Sequence, residues 1–182
     1  SAKEINTALE IFYKTFDGTE AFFSSAGLLE PPKHIVKSGD IAPRVVKLLG
    51  VDNIPDGGFV AEVDLTSKSA SISRLPGDSQ APYSFAELGM AVMLTKQNEA
   101  WLAAIAKRGI PVSTEKDLKL IQIDPWPAGG FVNFKIPEGH RAVKCIAFLK
   151  EDETDNGYAR PVHGLIAHID LTDRQVVDIE DH

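Results

Sequence analysis

Hydrophobic and polar positions change rhythm several times along this chain. Ile5, Ala8, Leu9, Phe12 and Phe16 recur at helical spacing behind Ser1-Ala2-Lys3-Glu4, which has the Ser-x-x-Glu form of a capping box. Asp17-Gly18 breaks the pattern. Thr19 is then expected to cap a short second helix carrying Phe22 and Phe23, closed by Gly27, with Pro31-Pro32 blocking continuation. Strands are expected at His34–Lys37, at Val45–Leu49 and at Gly58–Leu65. In the last, Phe59, Ala61, Val63 and Leu65 alternate with Val60, Glu62 and Asp64. Asp56-Gly57-Gly58 supplies turn chemistry before that strand, and Ser69–Ser73 pairs back onto it.

The grammar restarts after Pro76–Pro82, a short polar stretch with two prolines that reads as a linker. Ser84-Phe85-Ala86-Glu87 is a second capping-box pattern, and Phe85, Leu88, Val92 and Met93 make an apolar stripe. Asn98 is placed to cap a helix bearing Trp101, Leu102 and Ile105, stopped by Gly109. Ala167-His168-Ile169-Asp170-Leu171-Thr172 then echoes Ala61-Glu62-Val63-Asp64-Leu65-Thr66 at a register of 106 residues (170 − 64), each followed by a short apolar strand. The glycines taken as helix stops differ by only 82 (109 − 27), which assigns 24 extra residues (106 − 82) to the second copy. Those residues are expected to lengthen strands around Phe131–Lys135 and Ala142–Leu149 and to form the acidic loop Glu151–Gly157. The fold class is α+β: two tandem cystatin-like domains, 1–75 and 84–182, each a helix on an antiparallel sheet of about four strands.

Composition narrows the function. With 182 residues, 43% hydrophobic and 25% charged, the chain has a globular balance, and its net charge of −7 argues against a nucleic-acid surface. No apolar run is long enough to span a membrane. The sequence starts at Ser1 without a Met and reads as a piece of a longer protein. A single cysteine, Cys145, rules out an internal disulfide and a multi-cysteine metal site.

Two segments carry a family resemblance. Leu118–Gly129, containing Asp124-Pro125-Trp126-Pro127-Ala128-Gly129, resembles the Asp-Pro-Trp-x-x-Gly stretch of copper-containing primary-amine oxidases. Tyr158-Ala159-Arg160-Pro161-Val162-His163-Gly164-Leu165 resembles their aromatic-Ala-x-Pro-Val/Ile-x-Gly-Leu stretch, and the hairpin from Ile169 to Glu180 completes the likeness. His163 departs from it, since that place is often acidic in the family. The resemblance implies that 84–182 is similar to the third N-terminal domain of such oxidases (N3) and 1–75 to the second (N2). It implies a parent that oxidises primary amines to aldehyde, ammonia and hydrogen peroxide with copper and topaquinone. The implied partners are a catalytic domain of the same polypeptide beyond His182, a second copy in a homodimer, and a primary amine.

The family's catalytic motifs are not in this sequence. The tyrosine that becomes topaquinone lies in Asn-Tyr-Asp/Glu, whereas Tyr13, Tyr83 and Tyr158 follow Phe12, Pro82 and Gly157. The copper is held by three histidines, two as His-x-His, and no two of His34, His140, His163, His168 and His182 are two apart. No catalytic, cofactor or metal residue is therefore assigned, and the chain by itself is expected to be inactive.

Other candidates read as structural. His163 and His168, five apart in a strand, are expected to face opposite sides and to bind no metal together. Cys145 among Val143, Ile146 and Phe148 is a buried thiol. Asp64 and Asp170 are turn residues binding backbone N–H groups rather than an acid–base pair. Gly57-Gly58 and Gly129-Gly130 lack the Gly-Lys-Ser/Thr of a phosphate loop, and the spacing in Glu151–Asp155 fails the EF-hand pattern. Trp126, between two prolines, has two readings: a plug for its own core, or an exposed anchor for a missing domain. The alternative to the oxidase segment is a free-standing module of cystatin-like fold that binds a small ligand or a protein.

Overall fold

In the computed structural model, residues 1–52, 57–77, 79–129 and 133–182 are described, and the chain divides into two compact units, Ser1–Ser84 and Phe85–His182. Each carries helix on a four-stranded antiparallel sheet, the α+β architecture expected from the sequence.

Unit 1 opens with α1 (Ala2–Thr15), whose N-terminus is closed by the reciprocal Ser1–Glu4 capping box. Its sheet is the meander β1 (Ala21–Leu28), β2 (Val45–Asp52), β3 (Gly58–Asp64) and β4 (Ser69–Arg74), paired in that order. Ala8, Ile11 and Phe12 of α1 close on Val46, Leu48, Phe59, Ala61 and Val63 to make the core.

Two sequence expectations fail in this unit. The segment from Thr19 to Gly27 is the strand β1, not a helix, and Gly27 lies inside it opposite Lys47. The aromatics decide this. Phe23 sets its ring edge-on to Phe12 and Phe59, 5.3 and 6.0 Å away, so pairing with β2 packs an aromatic against the core that a short isolated helix would leave unsupported. The register of 82 based on Gly27, and the count of 24 extra residues, fall with that helix. The segment His34–Lys37 is not a strand but part of a helix, α2 (Lys33–Ser38). Pro32 stands at its N-cap and Gly39, left-handed at φ 78°, at its C-cap, the proline-before and glycine-after arrangement that suits a helix.

Unit 2 contains α3 (Phe85–Gln97), α4 (Glu99–Lys107), α5 (Glu115–Lys119) and the sheet β5 (Ile121–Pro127), β6 (Ala142–Leu149), β7 (Pro161–Asp170) and β8 (Gln175–Asp181), again paired in order. Asn98 caps α4 as expected, its Oδ1 accepting from the Trp101 N–H at 2.9 Å, and Trp101, Ala104 and Ile105 are buried. Gly109 follows at φ 73°.

The expected stripe of α3 is wrong. Its buried face is Glu87, Ala91 and Thr95, while Phe85 is 95% exposed and Met93 is half exposed. Ala91 and Thr95, small residues four apart, lie on the face of the helix turned to the core. Thr95 returns its hydroxyl to the Ala91 carbonyl at 2.8 Å, and Glu87 is neutralised by Arg141. Hydrophobicity alone therefore selected the wrong side. The helix α5 was not anticipated, although Thr114 and Asp117 form a capping box. The Asp-Pro-Trp segment is itself the strand β5, and its prolines are tolerated because β5 lies at a sheet edge. Of the strand expected around Phe131–Lys135, Phe131 and Val132 lie outside the described residues, and Asn133–Lys135 belong to a turn in which the Asn133 side chain accepts from the Lys135 N–H. Asp56, Asp78 and Gly130 also lie outside the described residues.

The repeated hairpins agree in detail. Asp64 Oδ1 accepts from the N–H groups of Thr66 and Ser67, and Asp170 Oδ1 from those of Thr172 and Asp173. Lys68 and Arg174, also 106 apart, both adopt φ 56°. The two turns thus have one backbone form pinned by one carboxylate.

Candidate functional site

The sequence-selected residues do not assemble into one constellation. His163 is exposed at the start of β7, and its carbonyl accepts from Arg108 Nε at 3.2 Å. His168 is buried, with Nε2 2.7 Å from Glu180 Oε1. His182 is exposed, 3.9 Å from the other Glu180 oxygen. His34 lies on α2 of unit 1. The acidic loop bonds to itself: Asp152 takes both N–H and O–H of Thr154, contacts that hold its carboxyl below the usual carboxylate range, while Asp155 pairs with Arg160. Among the described residues, no helix is long and apolar enough to cross a membrane.

Cys145 is 1% exposed, and burial pushes its thiol up to about 11. A thiol reagent at pH 8 is expected to leave it unmodified in the folded chain and to titrate one thiol after denaturation. Rapid labelling of the folded chain would contradict its burial.

Sequence reasoning missed His140. Its Nδ1 lies 2.8 Å from Asp170 Oδ2 and 3.8 Å from Asp173 Oδ2. The two segments are 30 residues apart and meet because Ala142 is registered opposite Asp170. Nothing in local spacing signals this. Only the β6–β7 pairing, with the hairpin repeat, would have found it.

Two apolar surfaces stand out. Trp126 on β5 is 55% exposed, its indole N–H donating to Asp124 Oδ2 at 2.7 Å, so it is no core plug. In unit 1 a shallow groove of about 260 Å³ is lined by Leu29, Pro31, Ile35, Ile41 and Pro43, with Ile41 fully exposed.

Comparison with known proteins now decides the family. Residues 86–182 match the family model described as copper amine oxidase, N3 domain. This chain belongs to the copper amine oxidase family. Along its whole length it is 29% identical to a primary amine oxidase of Arthrobacter sp. (strain P1), and over 97% of its length 27% identical to a histamine oxidase of Arthrobacter globiformis. It spans only about a quarter of those relatives, 27% and 25%. A copper-containing benzylamine oxidase from Hansenula polymorpha has the same fold across the whole chain, with a TM-score of 0.73 at 16% identity, in 29% of its own chain. The resemblance implied a copper held by three imidazoles. Among the described residues, the one group of three metal-type side chains, His140, Asp170 and Asp173, offers a single imidazole and does not fit that set.

Proposed function

We propose that the chain is a non-catalytic segment of a larger copper amine oxidase, with residues 1–75 as its N2-like and 84–182 as its N3-like domain, packing on a catalytic domain carried elsewhere in the same polypeptide. The observation that carries this reading is the match along the whole chain to about a quarter of each relative's length. The parent reaction is oxidative deamination of a primary amine, with copper and topaquinone supplying the redox chemistry outside these residues. The segment contributes apolar surface. Trp126, stiffened by Pro125 and Pro127 and oriented by Asp124, is a rigid anchor of the kind that dominates interfaces. The groove around Ile41 is a second such surface in unit 1. In this reading the segment also helps to border the substrate channel and the dimer contact of the parent.

Hydroxyl-radical footprinting tests the packing role. Trp126 is expected to oxidise readily in the 182-residue chain and to be protected at least about fivefold in the complete polypeptide, while Trp101, 1% exposed, resists in both. Equal oxidation of Trp126 in the two samples would remove it from any interface.

A further inference from the structure

The cluster that the amine-oxidase reading leaves unused is His140, Asp170 and Asp173. Asp170 is wholly buried, and its Oδ1 is saturated by the two turn N–H groups, which fixes the carboxylate and turns Oδ2 toward His140. Backbone contacts of this sort orient ligands in metal sites. The three donor atoms lie within 4.8 Å of one another. Tetrahedral ligands about 2.1 Å from an ion stand roughly 3.4 Å apart. The separations from His140 Nδ1, 2.8 Å to Asp170 and 3.8 Å to Asp173, straddle that value. The Asp173 side chain is half exposed and gives an ion a route in from water.

Unit 1 provides an internal control. Its hairpin makes the same carboxylate-pinned turn at Asp64, with Lys68 in the same left-handed conformation as Arg174. The residue matching Asp173 there is Ser67, and the single histidine of that unit, His34, lies on α2. The turn therefore forms without an imidazole or a second carboxylate, so turn formation does not account for their presence beside Asp170.

We propose that His140, Asp170 and Asp173 bind one divalent first-row transition-metal ion, with zinc as the type case and water completing the coordination. One imidazole and two carboxylates suit such an ion. Binding replaces the His140–Asp170 hydrogen bond with bonds from both side chains to the ion, which ties the segment before β6 to the β7–β8 turn.

Titration calorimetry of the 182-residue chain with zinc chloride, in a non-chelating buffer at pH 7.5, tests this. One saturable zinc per chain is expected. His140→Gln keeps a hydrogen-bonding side chain but loses the imidazole, and Asp173→Ser installs the unit 1 residue at an exposed site with little folding risk. Each should weaken zinc by at least about tenfold, a loss that even an outer-shell change causes in metal sites. His163→Ala should leave the affinity unchanged. Zinc should also raise the melting temperature of the wild-type chain and not that of His140→Gln. Absence of saturable binding, or unchanged affinity in Asp173→Ser and His140→Gln, overturns the site.

Discussion

Phe12→Ala is expected to destabilise unit 1 by about 3–5 kcal/mol, the range for removing a fully buried aromatic. Phe12 is 0% exposed and lies at the centre of a ring cluster. Its ring stacks on Phe16 at 4.8 Å and on Phe59 at 5.3 Å, and meets Phe23 edge-on at 5.3 Å. Truncation leaves a hole bounded by α1, β1 and β3, which rigid strands cannot collapse to fill. Denaturant unfolding, with hydrogen exchange read separately on β2–β3 and on β6–β7, measures the effect. The loss should appear in unit 1 amides. A change below about 1 kcal/mol would show that the cluster does not hold the helix to the sheet.

Glu87→Ala is expected to cost unit 2 a comparable amount, about 3–5 kcal/mol, through a different cause. Glu87 and Arg141 are 3% and 6% exposed, and Arg141 Nε donates to Glu87 Oε1 at 2.5 Å. Removing the carboxylate takes away the negative charge that Glu87 sets against the buried Arg141 guanidinium. Desolvation, rather than the lost attraction itself, sets the penalty. Glu87→Gln, which keeps shape and hydrogen-bonding capacity, should lose less than Glu87→Ala. Equal stability of wild type and Glu87→Ala, by denaturant melts followed at Trp101, would contradict a pair that matters to the fold.

The two variants also mark where the sequence was informative. Phe12 was readable because α1 buries its most hydrophobic face, so periodicity and packing coincide. In α3 they diverge. Glu87 and Thr95 face inward because Arg141 and Ala91 satisfy them, and those partners depend on tertiary structure. Phe85, the most hydrophobic residue of that helix's first turn, points out. In unit 1 the helix α2 is locally encoded by Pro32 and Gly39, while its β-branched Ile35 and Val36 equally suit the strand expected there. The missed strand β1 was not local at all, since it exists through pairing with β2 and ring contacts with Phe12 and Phe59. The hairpin aspartates were legible because a repeat doubles the signal. His140 was not, because its partner lies 30 residues away and only the β6–β7 register joins them.

The central claim is that this chain is a supporting segment and that amine oxidation belongs to the rest of its polypeptide. Aerobic loading of the purified 182-residue chain with copper, followed by quinone absorbance and peroxide release across a panel of primary amines, tests it most directly. The expected result is neither a quinone band nor amine-dependent peroxide from this chain, and both from the complete polypeptide treated the same way. A quinone band with amine-dependent peroxide from the 182 residues alone would contradict the account.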